Sequence, residues 1–429
     1  MKNKRIDEKY AISSVDYMSK KEIFDLQSRK FKEIIPYIAD VPFYKNKFLK
    51  EGINNKQIQE LSDLPKLPFT TKEEIRLSKP MERTPLGYDG IAFFFSSSGT
   101  TGNPTIYSWS TKDDLILREV AARCMKRVGV SSGDISLVLA PFGMPIMWYC
   151  MINQYLASGA GVVPLGISSP NEILKAMSAF PITSITTLPI IGTRLFEFMS
   201  MKKMSLIKNR FCHFHFGGDY LSNARRYRIE NYWGVECYDF YGLSEIFGPI
   251  AGECEEKKGL HLAADYVIVE VVDPETEKSV PEGEVGVAVY TTLWGKAAPL
   301  LRYWSDDYIS LTWEKCKCGR TSPRIIYKGR PIDSVVVNNK KIFAKDIEGI
   351  ILSFSEISDE WALKIVGSTE QPMAKVYLEK TSGYKINTKR IQQEIMNWLE
   401  IPVRIEIVPF GSFSRSDVKP KRIIDIRDK

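Results

Sequence analysis

At 429 residues the chain is longer than one ordinary core holds, so two domains or more are expected. Apolar residues make up 44% and charged residues 26%, which excludes a disordered or fibrous chain. The formal charge of +7 is dispersed among 52 acids without a long block of one sign; no nucleic-acid stripe is expected, and the balance suits an anionic small molecule.

The opening "MKNKRIDEKYAISS" is polar, and no run reaches about 18 apolar residues, so neither a signal core nor a membrane span is expected. A cytoplasmic location follows, where the seven cysteines stay reduced unless they hold metal. Residues 17–37 place Ile23, Phe24, Leu26, Phe31, Ile34 and Ile35 at helical spacing, and "DVPFYKNKF" breaks the pattern. "DLPKLPFTTKEEI" predicts a capped helix, with Thr70 or Thr71 as cap and Glu73 or Glu74 three residues on. From about residue 91, apolar strands (134–141, 161–166, 184–189, 211–218, 235–242) alternate with helical stretches such as "PNEILKAMSAF" and "ARRYRIENYW". That alternation predicts an α/β fold with a mainly parallel sheet, whose ligands lie beyond the strands' carboxyl ends. After residue 260, β-branched runs around a Pro/Gly-rich turn predict a small β-rich subdomain of antiparallel strands or a barrel. A joint at 327–334 leads to a compact α+β tail: a helix near 344–353, strands "WALKIV" and "AKVYLE", a helix near 387–399 and the strand "VRIEIV".

The stretch "SSSGTTGNPT" (96–105) follows an apolar run and is dense in hydroxyls and glycines. Glycines let backbone N–H groups close around an anion, and hydroxyls add donors. The loop lacks the G-K-S/T ending of an ordinary ATPase P-loop. Read alone, it also fits a Ser/Gly surface loop.

This stretch resembles the signature loop of adenylate-forming enzymes, which activate carboxylates with ATP. "VPFYKNKF", "DLPKLPFTTKEEIR", "GGDYLS" (217–222), "YDFYGLSEIFGP" (238–249), "PLLRYWSDDY" (299–308), "GRPIDSVVVNNKKIFAKDIE" (329–348) and "SRSDVKPKRIID" (414–425) follow in order, and together resemble the phenylacetate–coenzyme A ligase family over nearly the whole chain. The resemblance implies an N-terminal ATP- and acid-binding domain (1–331) and a small mobile C-terminal lid (332–429) that turns about Asp333. It assigns Ser97, Ser98, Gly99, Thr100, Thr101 and Gly102 to the ATP phosphates, and Glu245 to Mg²⁺, a hard ion suited to carboxylate oxygen. Tyr241 would lie against adenine, with Gly242 and Ser244 beside it; Gly217, Gly218, Asp219 and Asp239 would border the base. Asp307 would accept both ribose hydroxyls, and Arg330 would contact ribose or phosphate. For Asp307 the alternative is an ordinary surface acid beside Asp306. Lys419 would follow the charge developing on the α-phosphate, with Lys421 as its rival.

Cys316 and Cys318 form a C-x-C knuckle, and Cys254 and His261 lie upstream; three sulfurs and one nitrogen would close a structural Zn²⁺ site. Some members of the resembled family carry metal at matching positions. The alternative is unrelated reduced thiols and a lone histidine. His213 and His215 alternate with Phe214 and Phe216, and read as pocket-lining or as core histidines. Cys124, Cys150, Cys212 and Cys237 sit among apolar neighbours and read as inert thiols. Met144, Met147, Trp148, Tyr149 and Phe216 are candidate walls for a flat apolar or aromatic acid.

Four residues depart from the family pattern. Ile332 replaces the first of two hinge acids, Trp304 stands where a basic residue is usual, and Asn338-Asn339 replaces an Arg-Gly pair where coenzyme A's chain passes. The expected activity is therefore ATP-dependent conversion of an aryl or arylacetic acid to its acyl-adenylate, then transfer to coenzyme A. The alternatives are a carrier-protein phosphopantetheine or an amine as acceptor, or a catalytically silent nucleotide-binding homologue. The family resemblance suggests a homodimer.

Overall fold

The computed structural model describes residues 13–97, 104–202, 211–246, 248–381, 386–415 and 419–427. Helices are α1 (Lys20–Ala39), α2 (Pro42–Lys50), α3 (Lys72–Leu77), α4 (Thr111–Arg127), α5 (Met147–Ala157), α6 (Pro170–Ala179), α7 (Pro189–Met201), α8 (Asn223–Trp233), α9 (Ala344–Ile351) and α10 (Thr388–Leu399). Strands are β1 (Phe93–Ser96), β2 (Ile106–Trp109), β3 (Ile135–Val138), β4 (Gly161–Pro164), β5 (Ser184–Thr187), β6 (His213–Gly217), β7 (Glu236–Leu243), β8 (Gly248–Gly252), β9 (Leu260–Leu262) and β10 (Val267–Val272). They continue with β11 (Gly286–Thr292), β12 (Tyr303–Thr312), β13 (Arg324–Gly329), β14 (Ser334–Val337), β15 (Lys340–Phe343), β16 (Ile357–Gly367), β17 (Pro372–Lys380), β18 (Val403–Val408) and β19 (Ile423–Asp425). The chain forms two compact units, residues 1–186 with 238–327, and residues 187–237 with 328–429.

In the first unit, β3 pairs in parallel with β4 and β5, because α5 and α6 make the helical crossovers that parallel pairing needs. Among the described residues no α-helix lies between β7 and α9, and β7–β8–β9–β13 and β10–β11–β12 pair antiparallel. The sheet is therefore mixed, with parallel pairing where the sequence alternates helix and strand, and antiparallel pairing in the β-rich region. Reciprocal capping starts several helices. Thr71, not Thr70, caps α3: Glu74 N–H donates to Thr71 Oγ1 (3.2 Å) and Thr71 N–H to Glu74 Oε2 (2.7 Å). Thr70 is instead buried and donates to the Leu301 carbonyl at 2.7 Å. In α1, Ile23, Phe31, Ile34 and Ile35 are buried, whereas Phe24 faces outward.

In the second unit a four-stranded sheet, ordered β18-β17-β16-β19, packs with α9 and α10 around Trp361, Leu363, Val376, Ile391 and Ile395. α8 lies against α9, and Arg225 forms a buried pair with Glu348 (2.7 Å), whose oxygens also accept from Ser222 (2.6 Å) and Tyr220 (3.2 Å). Breaking such a pair by removing one partner costs about 3–5 kcal/mol. β14 and β15 form a hairpin turned by Asn338 (φ 49°) and Asn339 (φ 60°), a left-handed pair that suits a two-residue turn. Among the described residues no helix is long and apolar enough to cross a membrane.

Candidate active site

Four residues of the first unit form two matching hydrogen bonds. Tyr241 Oη donates to Asp307 Oδ2 at 2.5 Å, and Tyr303 Oη donates to Glu245 Oε1 at 3.1 Å. Tyr241 is near the end of β7 and Glu245, four residues on, is in the 3₁₀ turn that follows; Tyr303 and Asp307 are four apart in β12. Tyr290 on β11 donates to Tyr241 Oη at 2.8 Å and extends the chain of hydroxyls. Burial, reinforced by Asp307, pushes the Tyr241 phenol well above its usual range, and burial with Glu245 does the same to Tyr303. Both phenols therefore stay protonated and act as donors to carboxylates.

A bulge aims Asp307 inward. Between the pairs Val287↔Tyr308 and Val289↔Trp304, β12 contributes three residues opposite one. Asp306 takes φ 63° and faces solvent, where it accepts from Trp304 Nε1 at 3.0 Å. Asp307 is fully buried, and Ser305 fixes the turn by accepting the Asp307 N–H (3.2 Å) and donating to the Ala288 carbonyl (2.7 Å). Gly242 is required by close approach, since a Cβ there would lie 2.0 Å from the Gly248 carbonyl oxygen. Ser244 is half-buried in the 3₁₀ turn that carries the buried Glu245. Asp239 is buried, and its N–H donates to Glu253 Oε2 at 2.8 Å.

The hairpin β1–β2 holds the base of the hydroxyl-rich loop. Ser97 N–H donates to the Thr105 carbonyl (2.9 Å), and Thr105 N–H returns a bond to Ser97 Oγ (3.1 Å). Ser98, Gly99, Thr100, Thr101 and Gly102 lie outside the described residues. Tyr107, next on β2, is buried with its hydroxyl near Glu245, and burial followed by that charge raises its phenol. Ser96 N–H donates to the Met144 carbonyl at 2.9 Å, which brings the 140–149 stretch alongside the end of β1. There Met144 is exposed, and Met147, Trp148 and Tyr149 are half-buried on the first turn of α5. Tyr149 packs against Phe93 (5.2 Å) and Phe95 (5.4 Å) and donates to Asp114 at 2.7 Å.

In the second unit, Gly217 ends β6 and Gly218 turns the chain at φ 81°. Asp219 follows; burial raises its carboxyl, and the positive charge of Lys419 opposes that rise. Lys419 and Lys421 are both exposed. Phe216 is buried and points into the helix packing, where a Cβ on Gly192 of α7 would lie 3.2 Å from its ring. His215 is buried and held down to about 3, by burial and by His213, so it is a neutral core imidazole. Arg330 and Asp333 border a short 3₁₀ turn, and Asp333 N–H donates to the Arg330 carbonyl at 3.0 Å.

Back in the first unit, Cys254, His261, Cys316 and Cys318 place their ligand atoms within 4.8 Å of one another. Cys254 Sγ is 3.8 Å from Cys316 Sγ, and Cys318 Sγ is 3.4 Å from His261 Nε2. A tetrahedral Zn²⁺ with bonds of about 2.3 Å to sulfur and 2.0–2.1 Å to nitrogen has edges of about 3.8 and 3.5 Å. The residues therefore fit that ion. His261 Nδ1 lies 3.0 Å from Ser322 Oγ, which leaves Nε2 for the metal. Burial, then Arg127, holds its imidazole down to about 3, in the neutral form a metal takes.

Sequence reasoning did not single out Tyr303, Tyr290 or Tyr107. The signal for Tyr303 is present: "YGLSE" and "YWSDD" each carry a tyrosine four residues before a carboxylate.

The chain belongs to the AMP-binding enzyme family: the family model matches residues 22–291, and that of the AMP-binding enzyme C-terminal domain matches residues 339–427. Among particular relatives, the phenylacetate-coenzyme A ligase of Thermus thermophilus is 28% identical over 438 residues, covering 96% of this chain and 98% of that protein. The protein of the same name from Escherichia coli is 27% identical over 433 residues, covering 97% and 98%. The fold is shared with a crystal structure of 2-hydroxyisobutyryl-CoA ligase in complex with 2-HIB-AMP (TM-score 0.88, 21% identity, 96% of this chain and 91% of that one).

Proposed function

We propose that this enzyme uses MgATP to convert an aromatic carboxylic acid to its acyl-adenylate and then passes the acyl group to the thiol of coenzyme A. The observation that carries this reading is the pair of buried tyrosine–carboxylate bonds, Tyr241–Asp307 and Tyr303–Glu245, in a chain of the AMP-binding family whose relatives are phenylacetate–coenzyme A ligases. Adenylation joins a carboxylate to an α-phosphate, so offsetting negative charge is its main demand. In this reading Asp307 takes the ribose hydroxyls, with its second oxygen committed to Tyr241. Glu245 holds Mg²⁺, which screens phosphate charge when bound, and Ser97 to Gly102 donate to the phosphates. Gly217, Gly218, Asp219, Asp239, Tyr241, Gly242, Ser244 and Arg330 border the nucleotide, and Met144, Met147, Trp148 and Tyr149 the acid. Lys419 supplies the cation for the transfer. Residues 332–429 act as a lid that turns about Asp333 on the 1–331 body, a hinge motion between half-reactions.

Zn²⁺ on Cys254, His261, Cys316 and Cys318 belongs to the same reading, supported by four ligand atoms within 4.8 Å of one another, two of whose separations match tetrahedral edges. With no open position, it clips two turns together and takes no part in the chemistry. Cytoplasmic residence is supported by thiols that group as metal ligands rather than as half-cystines. A second reading keeps the adenylate and changes the acceptor to a carrier-protein phosphopantetheine or an amine; it is favoured by the side chains of Asn338 and Asn339 in a tight turn where the family pattern has Arg-Gly.

Pyrophosphate release from MgATP with a panel of aromatic acids, measured with and without coenzyme A, tests both readings. Acid-dependent release with a coenzyme A thioester as product is the expected result. Release that needs a carrier protein or an amine selects the second reading, and silence with every acid despite ATP binding refutes both.

A further inference from the structure

The charges on α7 have no role in the acid-activating site, yet they converge on the segment that carries Lys419. Arg194 of α7 donates from Nε (3.2 Å) and a terminal nitrogen (3.0 Å) to Glu360 Oε1. Its terminal nitrogens also donate to the carbonyls of Arg415 (2.7 Å) and Ser414 (3.4 Å). Glu360, 1% exposed, pairs through its other oxygen with Arg422 at 2.8 Å. Arg422 donates to the carbonyls of Trp361 (2.9 Å) and Asp359 (3.2 Å), just before β19 joins β16. Arg415 in turn is held by both oxygens of the buried Glu379 (2.5 and 2.9 Å), and Glu379 also accepts the N–H groups of Gly411 (3.0 Å) and Phe413 (3.2 Å).

Lys419 thus lies between two anchors. Its Cα can stray no further than about 14 Å from that of Arg415 and about 11 Å from that of Arg422, the reach of four and three extended residues. Both anchors meet at Arg194 and Glu360. Glu197 is the weaker arm: it touches Arg415 with one oxygen at 3.3 Å, and burial, with Asp359 beside it, pushes its carboxyl up to about 7.

We propose that Arg194 is a positioning residue for acid activation, one that holds the Lys419 segment through Glu360 and the carbonyls of Ser414 and Arg415. This rests on the acyl-adenylate reading. If the lid turns between half-reactions, these bonds belong to the first half alone, and thiol transfer proceeds without them.

The test uses the full chain with Arg194→Ala and Arg194→Lys. In Arg194→Ala, single-turnover acyl-adenylate formation should fall about 10- to 100-fold, the scale of a small misplacement of a reacting group. The KM for ATP should stay within about threefold, and transfer from a synthetic acyl-adenylate to coenzyme A within about twofold. Arg194→Lys should regain part of the rate, because an ammonium restores the Glu360 pair without the fork to both carbonyls. An unchanged adenylation rate, or equal losses in the two half-reactions, overturns the proposal. If the wild type activates no acid, the functional reading falls, and deuterium exchange decides the positioning claim by itself: peptides covering Gly411–Arg415 should exchange several-fold faster in Arg194→Ala, and equal rates refute it.

Discussion

Asp306 and Asp307 are adjacent, identical in chemistry and indistinguishable in sequence pattern. Their fates separate because the β12 bulge puts Asp306 in a left-handed conformation at the surface and turns Asp307 into a fully buried position against Tyr241. The bulge depends on register with β11, a long-range property that no local stretch encodes. The Tyr241 hydroxyl donates to the buried Asp307 carboxylate, and removing it takes that donor away. Tyr241→Phe should raise the KM for ATP about 3- to 10-fold with little change in kcat, whereas Asp306→Ala should be silent. Steady-state kinetics with ATP varied checks both; a silent Tyr241→Phe would remove the hydroxyl from nucleotide binding. Phe216 shows the opposite failure of local reading. Alternation put it on a strand at the carboxyl end of which ligands are sought, but the face it takes is the one packed on α7, where Gly192 leaves room for its ring.

At the scale of elements the sequence was informative wherever an element carries its own signal. The capping box of α3 and the tail's helices and strands follow from local chemistry, and the structure places them within a few residues of the reading. The C-x-C knuckle was legible because its spacing is itself the signal. What spacing could not supply is that β9 and β13 pair, with His261 opposite Arg324, so that the upstream and downstream ligands meet. A structural metal that joins distant turns contributes to folding. Purified protein should hold about one Zn²⁺ per chain. Cys316→Ser should lose that metal and lower the melting temperature by several degrees, with adenylation chemistry retained in the folded fraction. Metal analysis and a thermal melt check this, and a metal-free wild type of equal stability would contradict it.

For the whole molecule, order along the chain was the strongest guide. Each of the ordered motifs is weak alone, but together they marked nearly the full length of an AMP-binding enzyme, and the family models cover residues 22–291 and 339–427. The mixed character of the sheet was less legible, because antiparallel pairing after β7 is set by which strands meet and not by any one strand's composition. Sequence does not name the acid, since half-buried aromatic side chains such as those on α5 suit helix packing as well as pocket lining. The central claim is that Lys419, and not Lys421, brings the cation to the reacting phosphate. Single-turnover formation of acyl-adenylate from MgATP and the best acid of the panel, in Lys419→Ala and Lys421→Ala, tests it most directly. The expected result is a loss of about 10²- to 10³-fold in Lys419→Ala and a rate within about threefold of wild type in Lys421→Ala. An undiminished rate in Lys419→Ala, or a loss confined to Lys421→Ala, would contradict it.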